Sequence, residues 1–105
     1  MTDGERKQIK LQNGSVMNNT AAAELLSMIG NEKRLAILSM VIEREMTVSA
    51  IADEVCLSQS ALSQHLAKLR NLGLVKTRRD GHLIWYSCKS GAVKQVLRTL
   101  NEIFR

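Results

Sequence analysis

Aromatic residues are nearly absent from this 105-residue chain: Trp85, Tyr86 and Phe104 make up the 3%. Its core must therefore be aliphatic. No run of about 18 apolar residues occurs, which excludes a bilayer-spanning helix. The first ten residues, MTDGERKQIK, lack the apolar stretch of a signal peptide. Only two cysteines are present, Cys56 and Cys88. Without an export signal they read as free thiols in a reducing, cytoplasmic compartment rather than as a disulfide framework. No internal repeat or low-complexity segment is evident.

What remains is an ordinary globular composition, 45% apolar, in a chain short enough for one domain with limited burial. The formal charge of +5 suits an anionic partner. Ribosomal and membrane-surface proteins share such basicity, so the arrangement of the charges has to decide.

Residues 1–17 are polar, include Asn13-Gly14 and show no apolar period, and they read as a flexible N-terminal tail. Lys7 and Lys10 in that tail add weak phosphate attraction. The rest, 18–105, reads as one domain, mainly α with a small β-hairpin. Thr20 caps a first helix carrying Leu25, Leu26, Met28 and Ile29; Gly30 supplies a left-handed end, and Asn31 caps the next helix. That second helix, roughly 32–44, puts Leu35, Ile37, Leu38, Val41 and Ile42 on an apolar face.

The most informative stretch is 46–88. After the cap Thr47, Val48, Ile51, Ala52 and Val55 recur at helical spacing. After a short break and the cap Ser58, a helix over 58–72 has Ala61, Leu62, Leu66 and Leu69 on one face. Its other face holds Ser60, Ser63, Gln64 and Lys68. Two helices joined by about three residues make a helix-turn-helix. Gly73 ends the second of them, and Asp80-Gly81 then lies between β-prone runs near 75–79 and 83–88, a strong hairpin signal. The expected fold is a winged helix-turn-helix of five helices and a two-stranded wing over 75–88.

DNA contact follows from residue types. A serine-capped helix start presents unpaired N–H groups and a positive dipole end to an acceptor. Gln59, Ser60, Ser63 and Gln64 follow within two turns of Ser58. Glutamine can bond two atoms on an adenine edge, and serine can donate or accept at several bases. His65 and Lys68 sit farther along and suit the DNA backbone. Lys76, Arg78, Arg79 and His82 surround the hairpin tip, where they fall over flanking phosphates or the minor groove.

Ser90 caps a last helix with Val93, Val96, Leu97, Leu100, Ile103 and Phe104 in one continuous apolar stripe. So small a domain has few internal surfaces to cover that stripe. A dimer interface formed by Leu25, Ile29, Val93, Val96, Leu97, Leu100 and Phe104 is therefore expected.

The segments NEKRLAILSMV, LSQSALSQHLAKLRNLGLV and TRRDGHLIWYS resemble the ArsR/SmtB family of bacterial winged-helix regulators. The likeness spans residues 20–105 and is nearest to the NolR, BigR and HlyU-like branch. It implies a homodimer, built on the first and last helices, that represses by binding an imperfect palindrome with Gln59, Ser60, Ser63 and Gln64 near bases. One metal site of that family uses a Cys-x-Cys pair where this chain has Thr47 and Ser49. Another uses Asp and His on the last helix, yet residues 89–105 contain no His, Asp or Cys. The family's dithiol switch maps to Ser39 and Arg105. No metal site, cofactor or disulfide switch is expected. Cys56, at the break between the two helices, is the alternative: a thiol whose oxidation would tilt the reading helix. Cys88 alternates with Ile84 and Tyr86 on a strand and reads as a small buried hydrophobe. An enzyme is not expected, since no nucleophile motif surrounds Cys56 and His65 belongs to the DNA face.

Overall fold

The computed structural model describes residues 16–105, so the expected tail lies almost wholly outside the described residues. The first helix, α1 (Asn19–Ile29), belongs to a compact unit that ends at Asn31, and the remaining elements form a second unit, Glu32–Arg105.

Helix α1 starts earlier than expected. Asn18, not Thr20, is its N-cap, accepting the Ala21 N–H at 3.1 Å. Asparagine is at least as good a cap as threonine, which leaves Thr20 inside the first turn. Gly30 ends the helix at φ −73° and ψ 50°, not in the left-handed region. Its N–H donates to the Leu26 carbonyl at 2.7 Å, and a Cβ there would lie 2.9 Å from that oxygen. Close approach, rather than positive φ, is what demands glycine. Ile29 is buried and Leu26 is 61% exposed.

The second unit comprises α2 (Glu32–Val41), β1 (Met46–Thr47), α3 (Val48–Val55), α4 (Gln59–Asn71), β2 (Lys76–Asp80), β3 (Leu83–Ser87) and α5 (Gly91–Phe104). Helix α2 stops at Val41, three residues short of the expected end, and a turn closed by Glu43 and Arg44 N–H groups on the Met40 carbonyl follows. The reason lies across the sheet. Met46 and Thr47 pair with Tyr86 and Trp85, so the chain must leave the helix in time to extend. The expected two-stranded wing is thus a three-stranded antiparallel sheet in the order β1-β3-β2.

Thr47, Ser58 and Ser90 cap α3, α4 and α5, each side-chain oxygen accepting the N–H three residues on at 3.2–3.3 Å. Gly73, after α4, has φ 76°, and Gly81 at the hairpin has φ 64°. The two-residue loop is Gly81-His82, one residue beyond the expected Asp80-Gly81, because Asp80 still pairs with Leu83. Ile37, Leu38, Val41, Ile51, Leu62, Leu66, Leu69 and Val93 are fully buried and form an aliphatic core. Each contributes about 1.5–3 kcal/mol relative to exposure. Two faces of the helix-turn-helix are thereby fixed: α3 and α4 bury their apolar sides and turn their starts outward.

Candidate nucleic-acid interface

Helix α4 supplies the centre of the surface. Ser58, Gln59, Ser60, Ser63, Gln64 and Lys68 are all exposed, because Leu62, Leu66 and Leu69 take the opposite side of the helix into the core. Ser58 Oγ lies 3.3 Å from Ser60 Oγ. Gln59 Nε2 donates to Ser49 Oγ on α3 at 3.3 Å, joining the two helix starts. Ser49, Thr47, Val48, His82, Leu83 and Ile84 line a shallow recess of about 190 Å³. The polar surface therefore runs from the hairpin tip at His82, past Ser49, to the start of α4. The sequence marks Ser49 only as a place where a metal-ligand cysteine is missing; its nearness to Gln59 depends on the angle between two helices, which local pattern does not report.

His65, expected near the DNA backbone, also has a neighbour on α2. It is only partly exposed, and its Nδ1 lies 3.4 Å from Nη1 of Arg34 on α2. Burial, then the positive charges of Arg34 and Lys68, hold its pKa below 6.5. Its contact with Arg34 joins α4 to α2. Lys33 acts nearby, its Nζ donating to the Val55 carbonyl at the end of α3 at 2.7 Å.

The hairpin cations divide. Arg79, His82 and Lys76 are exposed. Arg78 is committed elsewhere: its Nε and Nη2 donate to both carboxylate oxygens of Glu45 at 2.9–3.2 Å, with its guanidinium 5.6 Å from the Trp85 ring centroid. Arg78, expected among the phosphate contacts, is exposed as well but carries this ion pair. The partner lies 33 residues away, out of reach of any local signal.

The apolar stripe on α5 is graded. Val93 is fully buried in the chain's own core, so its assignment to a partner surface is corrected, and Ile29 on α1 is likewise buried. Val96, Leu97 and Leu100 are partly exposed, and Ile103 and Phe104 are 62% and 79% exposed. On α1, Leu25 is partly exposed.

Cys56 is exposed and sits at φ 57°, ψ 48°, the one positive-φ residue other than glycine among the described residues. That left-handed residue ends α3 and turns the chain toward α4. Cys88 is buried, and burial pushes its thiol pKa up, which keeps it protonated and unreactive. Among the described residues no three His, Cys, Asp or Glu side chains gather as a metal site, and no helix is long and apolar enough to cross a membrane.

A family model described as bacterial regulatory protein, arsR family, matches residues 31–77, which run from the end of the first unit into β2. The chain is 53% identical over 83 residues to the nodulation protein NolR of Rhizobium meliloti, covering 79% of this chain and 68% of that one. The chain belongs to the arsR family. As an arsR-family winged helix-turn-helix, it is a DNA-binding transcription regulator. The crystal structure of NolR from Sinorhizobium fredii superposes with a TM-score of 0.80 at 51% identity, covering 82% of this chain and 86% of that one. The transcriptional activator HlyU of Vibrio cholerae is 41% identical over 87 residues, 83% of this chain and 81% of its own. A homodimeric winged helix-turn-helix DNA-binding domain from Mycobacterium bovis, Mb0332, matches at a TM-score of 0.72 and 26% identity, covering 81% of this chain and 79% of that one.

Proposed function

We propose that the protein is a homodimeric repressor that reads a palindromic operator with α4 in the major groove and sets its wing on the flanking DNA. The exposed, serine-capped start of α4 carries this reading: its Gln and Ser side chains meet no core and suit base edges. Arg79, Lys76 and His82 lie where flanking phosphates would be in such a pose. The half-exposed stripe of Leu97 and Leu100, continued by Ile103 and Phe104, supports a second copy as the partner. A two-fold dimer presents two α4 helices and so favours a palindrome. Repression needs nothing beyond occupancy of a promoter site, and metal and cofactors play no part.

The test is a mobility shift with the DNA upstream of the protein's own coding region against random DNA of the same length. A specific complex containing two chains is expected. Binding no tighter than to random DNA contradicts the reading.

One observation favours a second reading. Cys56 is an exposed thiol on the left-handed residue that links α3 to α4, so an oxidised, bulkier sulfur would disturb the reading helix. Operator affinity with and without peroxide, in the wild type and in a Cys56→Ser, Cys88→Ser variant, separates the two readings. Insensitivity in both fits a thiol-independent repressor; a large loss confined to the wild type fits the redox reading.

A further inference from the structure

Glu45, Thr47, Trp85 and Arg78 lie on one face of the small sheet. Thr47 pairs with Trp85 and Trp85 with Arg78, which puts their side chains on one side, and Glu45, just before β1, joins them through its bridge to Arg78. Arg78, on the outer strand β2, must therefore cross the whole of β3 to reach Glu45. It does so over the Trp85 ring, with a bidentate fork on the carboxylate. The indole Nε1 is buried and has no hydrogen-bond partner among the described residues. Glu45 in turn leads directly into the Thr47 cap of α3.

A two-stranded hairpin is marginally stable by itself, and β1 adds only two residues of pairing. The Glu45–Arg78 bridge ties the hairpin's outer edge to the residue that enters β1, three residues ahead of the first helix of the helix-turn-helix. From this geometry we infer that Glu45 and Arg78 are positioning residues: they clamp the wing over Trp85 and set its pitch, so that Arg79 and His82 meet flanking DNA while α4 reads the groove. The inference rests on the proposed place of the wing on flanking DNA. Arg78 and Arg79 alternate along β2 and are both exposed, so the arginine bridged to Glu45 serves the clamp and its neighbour on the other face is left for the ligand.

The clamp makes a counter-intuitive expectation. Removing the Glu45 carboxylate makes the protein more positive, which on charge alone strengthens binding to DNA. The clamp demands the opposite.

Two duplexes are used, a core operator and the same operator with flanks about ten base pairs long on each side. Glu45→Gln should weaken binding to the flanked duplex about threefold per wing, near tenfold for a dimer, a size set by exposed bidentate pairs. The core duplex should not distinguish the variant from the wild type. Arg78→Lys should behave like Glu45→Gln, because lysine keeps the charge a phosphate needs but not the fork. The exchanged pair Glu45→Arg, Arg78→Glu should recover most of the loss.

Trp85 is the only tryptophan, so its emission reports the clamp without DNA. Both single variants should shift it to the red, and the exchanged pair should restore it. Unchanged or tighter flanked binding by Glu45→Gln, with Arg79→Ala still weakening it, would overturn the clamp while leaving the wing on DNA. Equal wild-type binding to both duplexes, with Arg79→Ala silent, would overturn the wing's place on DNA and the clamp's role with it.

Discussion

Helices α4 and α5 begin alike and end differently. Both open on a serine cap, with the hydroxyl accepting the N–H three residues on at 3.2 Å, and they run for 13 and 14 residues. Both bury at least one fully enclosed aliphatic side chain, Leu62 and Leu69 on α4 and Val93 on α5. The difference is the remainder. Helix α4 turns Ser, Gln and Lys to solvent, whereas α5 turns Leu97, Leu100, Ile103 and Phe104 partly or largely outward. Capping and periodicity make a helix; the uncovered face states its partner. Hydrogen-bonding side chains exposed around a positive helix end suit a polar, anionic groove, and an apolar stripe suits another apolar surface.

The sharpest way to break that contrast is to give α5 a charge. Leu100→Glu should cost the proposed dimer about 3–5 kcal/mol by enclosing an uncompensated carboxylate. Sedimentation should show monomers at micromolar concentration, and operator binding should collapse with the dimer. A dimer unaffected by the change would place the interface elsewhere.

Removing the two caps tests whether the helices divide their tasks. Ser58→Ala and Ser90→Ala should each destabilise the fold by about 1 kcal/mol in thermal unfolding. Only Ser58→Ala should also loosen specific DNA binding beyond what the stability change explains, since its hydroxyl sits at the helix start proposed to read bases. Equal effects on DNA would erase the distinction.

The smallest expected effect concerns His65, which joins α4 to α2. The native state lowers its pKa below 6.5 through burial and the nearby Arg34 and Lys68, so the unfolded chain binds the proton first as the pH falls. Its contribution is therefore complete above about pH 6.5 and is lost as the pH drops through the lowered native value. Denaturant midpoints should decline over that window, and His65→Gln should flatten the decline. An unchanged slope would remove His65 as its source.

What could be seen in the sequence was local. Thr47, Ser58 and Ser90 announced three helix starts because a cap acts over three residues. Gly81 marked the hairpin because a two-residue loop needs positive φ there. The alternation of Ile51, Ala52, Val55 and of Leu62, Leu66, Leu69 marked the core. What escaped was set by distant partners. Strand β1 exists because β3 offers it a ladder, which also cuts α2 short at Val41. Arg78 looked like its neighbour Arg79 until Glu45 and Trp85 were brought beside it. His65 followed the polar face of α4 by spacing, but the position of α2 decided its surroundings. Thr20 reads as a cap by local preference, yet Asn18, two residues earlier, takes that role in the fold.

The central claim is that the exposed start of α4 reads bases. Fluorescence anisotropy of labelled operator and labelled random duplex, with wild type and with Gln59→Ala and Gln64→Ala variants, tests it most directly. The predicted result is an operator affinity lower by about 1–3 kcal/mol for each variant, with affinity for random DNA unchanged. An equal loss on both duplexes, or no loss on either, would contradict it.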